Sequence, residues 1–135
     1  MIIDGKKLSE KLCAQVRAET EMMQRRPCLA AVLVGEDPAS RIYVRNKERD
    51  CVKCGIDSRR YELPDTVSEA ELLALIDSLN RDDAVDGILV QLPLPEHISE
   101  RKVINAVAPE KDVDAFHPIN VGRMVTGEGT LTPCT

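Results

Sequence analysis

The sequence predicts an α/β fold: a three-layer α/β/α sandwich around a mostly parallel sheet of about four strands. Three observations predict it. Cys28 to Val34 reads Cys-Leu-Ala-Ala-Val-Leu-Val, and Asp86 to Val90 carries Gly-Ile-Leu-Val after one acid. Such apolar runs of strand length suit strands covered on both faces. Segments of helical periodicity lie before and between the strands. Strands that alternate with helices pair in parallel, with helices packed on the faces.

Each element follows in order. Leu8, Leu12, Val16 and Met23 stand among charges, so Leu8 to Met23 is expected to be a helix with one buried stripe, ended by Pro27. Cys28 to Val34 is the first strand. Gly35 to Pro38 is a turn, and Asp37 is a capping residue for the next helix. That helix runs to about Cys54, where Gly55 stops it. Asp57 to Leu63 reads as the second strand, closed by Pro64 and Asp65. Ser68-Glu69-Ala70-Glu71 has capping-box form, and Leu72, Leu73, Leu75, Ile76 and Leu79 supply the apolar side of its helix. Asp86 to Val90 is the third strand. Leu92-Pro93-Leu94-Pro95 cannot continue a central strand, because proline has no N–H to donate. Glu100 to Ala106 is a short helix. The rest, with Pro109, Pro118, Gly122, Gly127, Gly129 and Pro133, reads as loop.

Composition narrows the function. The chain has 135 residues, enough for one domain with a real core. Aromatics are 2% of residues, so the core must be aliphatic and each tyrosine is conspicuous. A formal charge of −5 argues against nucleic acid as the main partner. No stretch is long enough to span a membrane, and the first residues lack signal-peptide form. Five cysteines without a dense framework suit a reducing cytoplasm. Cys51-Val52-Lys53-Cys54 has CxxC spacing, but it has no second pair for zinc and falls late in a helix. It is read as ordinary thiols. The abrupt end at Thr132-Pro133-Cys134-Thr135 suggests a longer parent chain.

Chemistry concentrates in three segments. Tyr43 and Lys47 are four apart on the second helix, so a ring and an amine share one face beyond a strand end, where open α/β sheets place ligands. A surface pair of the same spacing is the plain alternative. The second segment is Val90-Gln91-Leu92-Pro93-Leu94-Pro95. The third runs Lys111-Asp112-Val113-Asp114-Ala115-Phe116-His117-Pro118-Ile119-Asn120-Val121-Gly122-Arg123. His97 is read as a loop residue, and nothing gives His117 metal partners.

Taken together with Ile3-Asp4-Gly5-Lys6, Val34-Gly35, Pro38-Ala39-Ser40, Cys54-Gly55-Ile56 and Pro133-Cys134-Thr135, these segments resemble the bifunctional methylenetetrahydrofolate dehydrogenase/methenyltetrahydrofolate cyclohydrolase family. The resemblance covers the whole chain, and Gln-Leu-Pro-Leu-Pro is its most specific run. It implies that residues 1–135 are the amino-terminal, folate-binding catalytic domain, of amino-acid-dehydrogenase-like form. It also implies an NAD(P)-binding domain after residue 135, absent from this chain. The implied activity belongs to one-carbon metabolism: oxidation of 5,10-methylenetetrahydrofolate with NADP, then hydrolysis of the methenyl product to 10-formyltetrahydrofolate. No metal is implied. The full enzyme is expected to be a cytoplasmic homodimer acting on tetrahydrofolate derivatives, with neither nucleic acid nor membrane as partner.

The resemblance also assigns residues. Lys47 matches the catalytic lysine. A lysine moves protons only if its pKa falls toward neutrality; otherwise its ammonium acts electrostatically. Tyr43 matches the tyrosine that stacks on the folate rings. Gln91 matches the glutamine beside the lysine, and Pro93 lies in the same run. Asp114 matches the aspartate that takes the pterin's amino-pyrimidine edge, because a carboxylate can accept two N–H bonds. Asp112 competes with it, being two residues away and directed the same way in extended chain. Ser40 lines the site or caps the helix. Ala115 departs from the family's usual glycine. If that position needs positive φ, alanine is strained there.

Two rivals stand. Tyr-x-x-x-Lys also occurs in short-chain dehydrogenases, but those have an early Gly-rich turn where this chain has Val34-Gly35-Glu36-Asp37-Pro38. Alternatively, the isolated chain is a non-catalytic folate-binding module.

Overall fold

A computed structural model describes residues 4–129. The elements are α1 (Gly5–Glu21), β1 (Cys28–Val34), α2 (Pro38–Lys53), β2 (Asp57–Leu63), α3 (Glu69–Arg81), β3 (Gly87–Val90), α4 (Glu100–Ala106) and α5 (Pro118–Thr126). The strands form one parallel sheet in the order β2-β1-β3. The α/β sandwich with a parallel sheet is as expected, but there are three strands among the described residues instead of about four. A fourth would lie beyond β3. There Asp112 makes a single parallel bridge to Ile88 and the pairing stops. Charged and turn-forming residues, Lys111-Asp112-Val113-Asp114, suit a sheet interior poorly.

The central strand β1 is apolar throughout because both its faces are covered, and alternation sends its side chains to two cores. Ala30, Val32 and Val34 join Ile88 of β3, Leu72, Ile76 and Leu79 of α3 and Val103 of α4. Ala31 and Leu33 point the other way, to Leu89 of β3 and Val44 of α2. Among the described residues β2 is an edge strand, and its exposed Arg59 and Arg60 disfavour pairing with another chain there.

Local chemistry sets most boundaries as the sequence predicts. Asp37 accepts from the Ser40 N–H at 2.7 Å and caps α2. Ser68 and Glu71 form the full capping box at the start of α3. Gly55 ends α2 at φ 71, and a Cβ there would lie 2.6 Å from Thr20 Oγ1. Glycine is required at that position on both counts.

Two expectations need correction. First, α1 starts earlier and ends at Glu21, well before Pro27. The Thr20 hydroxyl donates to the Cys54 carbonyl at 2.7 Å, and the Met22 and Met23 N–H groups close the last turn by bonding back to Glu19 and Thr20. Arg25 then forks onto Asp86 with two 2.7 Å bonds, which steers the chain into β1. The apolar stripe of α1 is not buried among the described residues: Leu8 and Leu12 are 51% and 50% exposed.

Second, Pro118 to Thr126 is a helix, not loop. Pro118 sits in the first turn, where its missing N–H costs nothing, and Gly127 is a left-handed C-cap at φ 77. Residues read as breakers are in fact its start and stop. Gly122 alone lies inside, at a cost of about 1 kcal/mol relative to alanine.

Candidate functional site

Among the described residues only α2 packs on the sheet face formed by Ala31, Leu33 and Leu89, with a groove beside that helix. Its volume is about 420 Å³. The walls are Leu29 and Leu89 of the sheet, Lys47 and Cys51 of α2, Ile56, and Val113 with Asp114 beyond β3. Pro27, Cys28, Gly87 and Asp86 complete the lining, which is mostly apolar; its charged residues are Lys47, Asp86 and Asp114, and the Asp86 carboxylate is taken up by Arg25. Gly87 lets the 113–114 segment close on the sheet: a Cβ at 87 would lie 2.5 Å from Val113 Cγ1.

Lys47 is half-buried in α2, one turn before Cys51. Among the described residues it takes part in no salt bridge, whereas Lys53 on the same helix is bound to Asp50 at 2.8 Å. Asp114 is half-buried too, and its carboxyl is pushed above the ordinary aspartate range. Loss of water is the main cause. The Lys47 ammonium pulls it back down, and the neighbouring Asp112 adds to the rise. Helix α2 and the loop after β3 thus bring an ammonium and a poorly solvated carboxylate into one groove.

Asp112 is used differently. It is 7% exposed, and its Oδ2 accepts from the His117 N–H at 2.8 Å and from Asn120 Nδ2 at 3.0 Å. Both aspartates border a small cavity near Ile88 and Leu92, but only Asp114 also lines the groove. Between them the extended-chain expectation fails in part, because the Asp112 carboxylate turns in toward α5.

The next residue, Ala115, has φ 54. The sequence poses this as a condition, and the backbone meets it: an alanine occupies the left-handed region where glycine fits freely.

The remaining candidates do not line the groove, whose sheet walls come from the amino ends of β1 and β3, whereas Gln91 and Pro93 follow the carboxyl end of β3 and Ser40 and Tyr43 lie early in α2. Tyr43 lies one turn before Lys47 and is 61% exposed, so its ring presents a free face. Gln91 extends the β1–β3 pairing through its N–H to Val32, and its Nε2 donates to the Leu92 carbonyl at 2.8 Å. Pro93 is exposed after a cis Leu92–Pro93 bond. Ser40 is buried, with its hydroxyl and N–H both turned to Asp37, which places it with the cap and outside the groove. His117 caps α5, its Nδ1 accepting from the Ile119 N–H, and His97 bonds the Val67 carbonyl. No cluster of three or more metal-binding side chains occurs among the described residues.

The CxxC thiols are not a reactive pair. Cys51 is buried, and the free Cys54 thiol has its pKa pushed up to about 11, chiefly by burial and then by the neighbouring Cys13 thiol of α1. Sequence reasoning missed Leu29, Leu89, Cys51, Ile56 and Val113 as groove walls, because apolar residues carry no chemical signal. It also missed Asn120.

With this geometry in place, comparison with known proteins decides the family. The model of the tetrahydrofolate dehydrogenase/cyclohydrolase catalytic domain matches residues 3–114. The chain belongs to this family. The bifunctional protein FolD of Magnetococcus marinus is 57% identical over 99% of this chain, and that of Bacillus cytotoxicus is 52% identical over all of it. The chain spans about half, 48%, of each of these relatives. Among solved structures, the bifunctional FolD enzyme of Campylobacter jejuni superposes with a TM-score of 0.94 at 45% identity, over 97% of this chain and 48% of its own. The methylenetetrahydrofolate dehydrogenase-cyclohydrolase of Trypanosoma brucei, complexed with NADP and an inhibitor, gives 0.94 at 32% identity, over 99% and 48%.

Proposed function

We propose that this chain is the folate-binding catalytic half of a bifunctional enzyme. That enzyme would oxidise 5,10-methylenetetrahydrofolate with NADP and hydrolyse the methenyl product to 10-formyltetrahydrofolate. The observation that carries the reading is the meeting of Lys47 and Asp114 in one apolar groove, on a chain that belongs to the tetrahydrofolate dehydrogenase/cyclohydrolase family.

A pterin is flat, mostly apolar on its faces and lined with N–H donors on its amino-pyrimidine edge. Asp114 offers two acceptor oxygens for that edge. Tyr43 offers an exposed aromatic face for stacking. In the hydrolysis, water adds to the cationic methenyl carbon and gives up a proton. The bond from that carbon to N5 then breaks, N5 takes up a proton, and the formyl group stays on N10. Lys47 is the group assigned to donate a hydrogen bond or carry a proton at this centre, its charge stabilising negative character on the adding oxygen. Gln91 and Pro93 shape the loop at the end of β3; with its Nε2 donating to the Leu92 carbonyl, Gln91 has its side-chain Oε1 to offer as an acceptor. Ser40 holds the start of the same helix through Asp37.

NADP does not fit the residues described. The β1–α2 turn is Val34-Gly35-Glu36-Asp37-Pro38, and two acids repel a pyrophosphate where a dinucleotide site has glycines. The reading therefore assigns NADP to a second domain following residue 135. It also includes a homodimeric, cytoplasmic full-length enzyme.

The test is hydrolysis of 5,10-methenyltetrahydrofolate by this chain, followed by absorbance and extrapolated to zero buffer. Activity that Lys47→Ala reduces at least about a hundredfold supports the catalytic role. No rate above the uncatalysed one in either protein, with tetrahydrofolate still bound, would identify a binding module that does no chemistry alone. Failure to bind folate would overturn the reading for this chain.

A further inference from the structure

Asn120 takes no part in the site as proposed, yet it is 5% exposed. A buried amide is costly unless its groups are bonded. Its Nδ2 donates to the Pro109 carbonyl at 2.8 Å and to Asp112 Oδ2 at 3.0 Å. The same Asp112 oxygen accepts from the His117 N–H at 2.8 Å. One carboxylate oxygen therefore gathers a side chain of α5 and the backbone just before α5.

These bonds close a ring around residues 113–116, the loop that carries Asp114. Its base is fixed to the sheet: Ile88 donates to the Lys111 carbonyl at 2.7 Å and Asp112 bridges to Ile88. Within the loop, Ala115 holds φ 54 and donates to the Asp112 carbonyl at 3.3 Å. A left-handed alanine persists only where its surroundings over-determine it. The buried bonds of Asp112 and Asn120 are those surroundings.

We propose that Asn120 and Asp112 are positioning residues that set the Asp114 carboxylate in the groove opposite Lys47, Asn120 acting through Asp112. The proposal rests on the reading of Asp114 as the group that takes the pterin edge. Neither Asn120 nor Asp112 lines the groove. A purely structural pair would change melting temperature and leave the affinity of the folded protein alone.

The experiment titrates tetrahydrofolate into this chain by calorimetry and follows hydrogen exchange at the Ala115 amide without ligand. Asn120→Ala and Asp112→Ala are expected to weaken binding about tenfold and to speed Ala115 exchange about tenfold, the scale of one lost buried hydrogen bond. Asp112→Asn keeps an oxygen that accepts both bonds, so both readouts should stay within about twofold of the parent. Should Asn120→Ala not fold, Asn120→Ser retains one donor and should shift both readouts about threefold.

Unchanged affinity in Asn120→Ala, while Asp114→Asn abolishes binding, would overturn the positioning role and leave the proposed function standing. Unchanged Ala115 exchange in Asn120→Ala would overturn it too. If the parent chain binds no tetrahydrofolate, or Asp114→Asn binds as well as the parent, the assignment of Asp114 fails. The exchange data then decide by themselves whether the pair holds the loop.

Discussion

The two faces of the sheet are built differently. On one, α3 and α4 cover Ala30, Val32, Val34 and Ile88, and Val67, Val85, Ile98 and Val107 complete a continuous aliphatic core. On the other, α2 alone among the described residues covers Ala31, Leu33 and Leu89, through Val44. The first face supplies stability. The second leaves an apolar groove open and places an ammonium and a half-buried carboxylate in it. Apolar burial scales with area removed from water, so the open face gives up stabilisation that the covered face keeps. The loop that brings Asp114 to this groove also stores cost directly, in a left-handed alanine and a desolvated aspartate. Substitutions on the covered face should therefore destabilise, whereas some on the open face should stabilise.

The largest expected effect is on the covered face. Ile76 is fully buried there, and Ile76→Ala should cost about 2–5 kcal/mol in urea unfolding. Leu29→Ala, on the half-buried groove wall, should cost less than about 1 kcal/mol. Equal costs would show that the two faces do not differ in packing.

The next effect is opposite in sign. Ala115→Gly relieves the φ 54 backbone, and after the extra freedom glycine gains in the unfolded chain it should stabilise by about 0.5–1 kcal/mol. A loss of stability would mean that the loop adapts to alanine without strain.

The smallest effect sharpens the comparison by pH. The Asp114 carboxyl is raised in the folded state, so the folded protein holds that proton more tightly than the unfolded chain. Ionising it costs stability above the folded pKa, and the cost disappears as pH falls below the unfolded value. Asp114→Asn should thus raise stability at neutral pH and give no advantage in strong acid, as read from melting temperature against pH. Asp86 behaves oppositely. Its hydrogen bonds from Arg25 hold its pKa down, so its contribution is present above the ordinary aspartate pKa and lost as pH falls through the folded one. An advantage for Asp114→Asn that grew on acidification would contradict the sign for the groove.

Legibility followed the range of the interactions involved. The boundaries of α2 and α3 could be read from Asp37, Gly55 and the Ser68–Glu71 pair, because caps act within a turn. The β1 and β3 strands were legible because only a doubly covered strand is apolar on both faces. Helix α5 was not, because Pro118 and Gly127 break a helix when internal and bound one when terminal, and composition does not tell these apart. The exposed stripe of α1 was misread because periodicity shows that a face is apolar but not what covers it.

The sequence by itself determined the parallel α/β plan, the pairing of Tyr43 with Lys47 on one helix face, and the motifs that place the chain in its family. These depend on local propensity, periodicity and residue order, all of which are present in one dimension. Only the tertiary structure decided that Lys47 and Asp114 share a groove, that Asp112 turns inward to Asn120 and His117, and that Ala115 is left-handed. Those facts arise from a helix and a distant loop meeting over one sheet face. Contacts of that kind depend on how elements pack, which no short stretch of sequence specifies.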